Sequence, residues 1–123
     1  MKKLLSILLA LATVFTLSLP ALASNYADVA GDAWYAEAVE ALREKEIMNG
    51  VGNNNFGPDD TFTRASLATV LYRMAGSPAV TGEDSFTDTK NDAWYAEAVL
   101  WASQNKVVNG MGGGRYGTNE ATT

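Results

Sequence analysis

Arg64 directly follows Thr63 and precedes the apolar-periodic positions Leu67, Val70, Leu71 and Met74, so its guanidinium stands at the expected start of a helix. A guanidinium there can grip a carboxylate through two parallel hydrogen bonds, and the free N–H groups and dipole of the helix start favour the same anion. The competing role is a solvated charge or a weak surface ion pair with Asp59 or Asp60. Asp59, Asp60 and the asparagines Asn53–Asn55 raise calcium as a candidate, but the D-x-[DN]-x-[DN]-G spacing with its closing Glu is absent. No metal site is expected. The chain has no histidine and no cysteine. That excludes Ser-His triads, His-zinc centres, a disulfide framework and a lipidated N-terminal cysteine. The acids fall on helix faces and loops with no pair facing across a cleft, so no enzyme and no cofactor are expected.

The elements that position Arg64 come in a repeat. DAWYAEAV occurs as Asp32–Val39 and again, sixty positions on, as Asp92–Val99. The same offset relates Tyr26 to Phe86, Asp28 to Asp88, Asn49-Gly50 to Asn109-Gly110, Gly52 to Gly112, Phe56 to Tyr116 and Gly57 to Gly117. A fixed long period marks a repeated supersecondary unit. The first unit reads as helix–loop–helix. Asp32 is the expected N-cap, Trp34, Tyr35, Ala38, Val39 and Leu42 form an apolar stripe, and the helix ends near Lys45. Asn49–Phe62 is a glycine- and asparagine-rich loop pinned by Phe56, with Gly50 and Gly52 at angles other residues resist. Thr63 caps the second helix, which Gly76 and Pro78 stop. A unit of ~60 residues buries only about 60% of its unfolded surface, so marginal stability and docking between units are expected.

Ahead of the repeats, Lys2 and Lys3 precede the uncharged run Leu4–Leu19, then Pro20 and Ala21-Leu22-Ala23. That is the layout of a secretory signal peptide, and the run falls short of the ~20 residues a spanning helix needs. Cleavage before Ser24 leaves seven basic against fourteen acidic residues, a net charge of about −7. Such a chain has no general attraction to nucleic acid or anionic membranes, and no transmembrane segment is expected after cleavage.

The ordered set of a D-V opening, W-Y-x-x-A-V, an N-G-x-G loop, T-R-A before a helix and L-Y-R-M-A-G resembles the S-layer homology domain. The resemblance runs from Tyr26 to Gly76 and from Phe86 to the chain end. It implies an all-α fold of tandem helix–loop–helix repeats, usually three in a pseudo-threefold prism. The expected units are a signal peptide over 1–23, repeats over 24–76 and 86–123, and a linker over 77–85. The resemblance further implies a non-catalytic module that anchors an exported protein to the bacterial cell wall or surface layer. Its partner would be a secondary cell-wall polysaccharide, often pyruvylated, or peptidoglycan, and other repeats or chains.

The family's groove arginine falls on Arg64. Asp28 and Asp88 could contact ligand or make turns, Trp34 and Trp94 could face a sugar ring or join the core, and Gly52 and Gly112 could admit backbone to a sugar or serve loop geometry. Ser66 replaces the family's Glu after T-R-A, which implies a weaker capping box with Thr63. The second repeat lacks its own T-R-A arginine and second helix. That suggests a fragment of a longer product or an assembly of chains. Two further functions are consistent with these residues: a self-assembling surface-layer module, and the anchoring end of a longer envelope enzyme.

Overall fold

The computed structural model describes residues 24–122, so the signal-peptide segment and Thr123 lie outside the described residues. The described chain carries three helices, α1 (Ala36–Glu44), α2 (Arg64–Met74) and α3 (Ala96–Gln104). Among the described residues there is no strand, only isolated bridges. None of the described helices is long and apolar enough to cross a membrane.

Both octapeptide helices begin a turn later than their aspartates suggest. Tyr35 and Tyr95, not Asp32 and Asp92, occupy the N-cap positions, and neither makes a side-chain cap. Successive turns, with Ala33 N–H donating to Ala30 O and Ala36 N–H to Ala33 O at 3.0 Å each, use up the residues after Val29 before the helix can start. Those turns push Trp34 outward: it is 93% exposed and stacks edge-on to Tyr35. The expected apolar stripe is therefore only partly internal. Val39 is buried with Tyr26 and Val29, and Tyr35, Ala36 and Phe56 pack around them.

Helix α2 starts where Thr63 predicts, with Thr63 Oγ1 accepting the Ser66 N–H at 3.1 Å. Ser66 Oγ also meets Thr63 Oγ1 at 2.9 Å, a shorter-range version of the pairing a Glu would make. Gly76 ends the helix at φ +87°. The buried face differs from the expected stripe. Ala65, Ala68, Thr69 and Tyr72 are internal, whereas Met74 is 64% exposed. Small side chains win because they let α2 approach α3 closely; Ala68 meets Ala98 and Ala102 in one cluster with Tyr72, Val99, Val108 and Tyr116. Tyr72 then satisfies its hydroxyl on Pro78 O at 3.0 Å and Glu97 Oε2 at 3.3 Å.

The helix contact thus joins the second helix of one repeat to the first helix of the next, and α1 packs on neither. The helix contact is therefore of the kind expected between units, and within the first repeat α1 and α2 do not pack on each other. Identical octapeptides end up in different surroundings. Ala98 is 2% exposed under α2, while its counterpart Ala38 is open to solvent.

Candidate functional site

Two loops with the same construction flank α2. In each, an aspartate from the repeat's opening clamps the loop. Asp28 accepts the Phe56 and Gly57 N–H groups at 2.7 Å each, and Asp88 accepts those of Tyr116 and Gly117 at 2.7 Å each. The Phe56 N–H holds the Asp28 carboxyl below its ordinary value of 3.8, helped by Gly57. Burial pushes Asp88 up, but the Tyr116 and Gly117 N–H groups and nearby Arg115 outweigh it and hold that carboxyl low as well. Gly52 and Gly112 occupy the turns at φ +105° and +95°, and both face open space. In this structure the two aspartates and two glycines shape loops.

Arg64 lies at the junction of the repeats. Its Nε donates to Tyr116 O at 2.9 Å, its Nη2 donates to Asn109 O, and its guanidinium stands 5.1 Å from the Tyr116 ring centre. The backbone follows: Arg64 N–H donates to Glu120 O at 2.9 Å, Ala65 N–H to Thr118 O at 3.2 Å, and Thr122 N–H to Phe62 O at 2.9 Å. The buried Tyr116 hydroxyl, kept protonated by burial, donates to Arg64 O at 3.2 Å. The start of α2 is thereby tied to the loop of the following repeat.

Two crevices open beside this junction. One, of about 410 Å³, lies between loop residues Ile47–Val51, Phe56, Gly57 and Asp60–Phe62, the Ser66–Thr69–Arg73 side of α2, and Trp94. The other, of about 290 Å³, lies between the end of α2 and Asn91–Ala98. Arg73 and Trp94 line both. Trp94 is 67% exposed and stands edge-on to Tyr95. Arg73 Nη1 donates to Ile47 O at 3.1 Å, which bridges α2 to the first loop. Asp92 and Glu97 are on the smaller crevice wall. The arrangement offers an apolar indole face, a multi-pronged donor and carboxylates that can only accept, a set suited to a hydroxyl-rich ligand bearing an anionic group.

Of the residues singled out in the sequence, Trp94 lines these crevices, while Arg64, Asp28, Asp88, Trp34, Gly52 and Gly112 line neither. Arg73 was not singled out. Its signal is the polar series Ser66, Thr69, Arg73 at helical spacing along one side of α2.

The family profile of the S-layer homology domain matches residues 25–68 and 85–123. The chain belongs to the S-layer homology domain family. It is 32% identical to a cell surface protein of Thermoanaerobacter kivui across 97% of this chain and 16% of that protein. It is 32% identical to a surface layer protein of Brevibacillus choshinensis across 90% of this chain and 10% of that one. An endoglucanase of Bacillus sp. strain KSM-635 is 28% identical across 99% of this chain but 14% of its own length. The S-layer homology chain therefore spans about a sixth or less of these relatives. No solved structure matches it.

Proposed function

We propose that this S-layer homology protein is a non-catalytic module that holds an exported polypeptide to the bacterial cell envelope by binding a wall polysaccharide between its repeats. Residues 24–76 and 86–123 act as repeat units joined by 77–85, within a bundle of such units, and residues 1–23 direct export. Trp94 supplies the flat face for a sugar ring. Arg73 reads a carboxylate such as that of a pyruvylated sugar, and Asp92 and Glu97 accept from sugar hydroxyls. Arg64 ties the start of α2 to the second loop and so fixes how the two repeats meet. Asp28, Asp88, Gly52 and Gly112 hold the loop shapes, and Trp34 repeats the exposed indole on the first unit.

The observation that carries this reading is the convergence of Arg73, from the first repeat, and Trp94, from the second, on the same two crevices. Co-sedimentation with purified wall sacculi tests it. The protein is expected to pellet with polymer-bearing sacculi, to stay in solution with polymer-extracted ones, and to lose binding as Trp94→Ala. Equal recovery with both sacculus preparations would overturn it.

A further inference from the structure

The loop wall of the larger crevice contains the dipeptide Asn49-Gly50. Asparagine is a thermolabile residue. A following glycine makes it more so, because no Cβ shields the backbone nitrogen that attacks the side-chain amide. Both residues are exposed, and the Gly50 N–H donates no backbone hydrogen bond among the described residues, so that nitrogen is open to base. The fold itself requires the glycine. Its φ is +83°, and a Cβ would lie 2.5 Å from Asn55 O and 2.9 Å from Tyr26 Cε1. A residue that would slow the reaction is therefore shut out by the approach of Tyr26 and the Asn55 carbonyl.

The dipeptide recurs as Asn109-Gly110, where a Cβ would meet Phe86 Cε1 at 2.7 Å. There Arg64 Nη2 donates to Asn109 O and restrains the peptide, and Asn109 lines neither crevice. Asn49 is the copy whose conversion reaches the crevice. The charged residues on that wall are Asp60 and Arg73, one of each sign. A carboxylate at position 49 turns a balanced wall negative.

We propose that Asn49 is a self-modifying site, whose spontaneous deamidation to aspartate or isoaspartate puts a negative charge on the crevice wall that Arg73 shares. The Gly50 nitrogen bonds to Asn49 Cγ, and its proton passes through solvent to Nδ2, which leaves as ammonia when the Cγ–Nδ2 bond breaks. Water then opens the cyclic imide. Breaking the new N–Cγ bond gives aspartate. Breaking the original peptide bond gives isoaspartate, with the main chain now running through Cγ and Gly50 displaced from its seat against Tyr26. The new carboxylate competes for Arg73 and repels an anionic ligand. That consequence rests on the sugar-binding reading; the deamidation itself does not.

The test ages the full chain for days at mildly alkaline pH and maps it by mass spectrometry after digestion in acid, with isoaspartyl methyltransferase marking isoaspartate. Asn49 is expected to convert several-fold faster than Asn105, which is also exposed but precedes Lys106. Conversion at Asn49 no faster than at Asn105 overturns the proposal. Asn49→Asp fixes one product and should weaken binding of a pyruvylated wall oligosaccharide by about 2- to 5-fold, while Asn49→Gln binds like the parent. Equal binding by the Asn49→Asp and parent chains overturns the charge effect. A parent chain that binds no oligosaccharide overturns the sugar-binding reading instead, and the mass map still decides the deamidation.

Discussion

Replacing Arg64 by alanine removes a guanidinium that is shared between Tyr116 O and Asn109 O and stands 5.1 Å from the Tyr116 ring centre. Hydrogen bonds from a charged donor contribute about 1.5–3 kcal/mol each when shielded, and a cation over an aromatic ring adds about 0.5–1 kcal/mol at exposed sites. Arg64 is half-buried, so the low end applies, and a loss of about 2–4 kcal/mol follows. Tyr116 is fully buried, so its carbonyl has little access to a replacement water. At roughly 4–8 °C per kcal/mol for a domain of this size, the midpoint should fall by about 10–30 °C. Thermal unfolding followed by tryptophan fluorescence reads this, because Trp101 lies 5.7 Å from Tyr72 at the helix contact. Arg64→Lys should fall between, since an ammonium keeps the charge but not the planar fork. A midpoint within about 2 °C of the parent for Arg64→Ala would mean that the guanidinium does not tie the repeats, and the reasoning would be wrong.

Ala68→Leu should cost about 1–3 kcal/mol in urea unfolding, because the position is fully buried between α2 and α3 and leaves no room for three extra carbons. Gly50→Ala should destabilise by about 1–3 kcal/mol, since φ is +83° and a Cβ would lie 2.5 Å from Asn55 O; a urea midpoint equal to that of the parent would contradict this. Asp28 and Asp88 have carboxyls held below 3.8 in the folded chain, so their stabilising effect is complete above about pH 4 and is lost as pH falls through the lowered values. The Tm should therefore fall as the pH is lowered below 4, and Asp88→Asn should lessen that fall.

Much of the architecture was legible in the residues. The repeat offset, the Thr63 cap, the Gly76 stop and the loop glycines are local signals, and each follows from backbone chemistry within a few residues. The faces of the helices were not legible. Leu67, Val70, Leu71 and Met74 make the more apolar stripe on α2, yet the partner selected Ala65, Ala68 and Tyr72 because α3 presents alanines there. The same limit explains Ala38 and Ala98: one octapeptide cannot encode two degrees of burial, and the difference is supplied by α2, about thirty residues before Ala98. Trp34 and Trp94 looked internal by periodicity, but the turns before α1 and α3 break the period that would have turned them inward. Arg64 was legible as a cation at a helix start. The carbonyls that engage it belong to a loop about fifty residues on, beyond any local pattern.

The central claim is that Arg73 and Trp94 together hold an anionic sugar. Calorimetric titration of a short pyruvylated wall oligosaccharide into the full chain tests it most directly, with the same oligosaccharide stripped of its pyruvate as control. The account predicts binding of the first and at least about tenfold weaker binding of the second. Arg73→Ala and Trp94→Ala should each weaken the pyruvylated ligand by a similar factor, with Trp94→Ala leaving the melting midpoint in place. Unchanged affinity in both variants would contradict it.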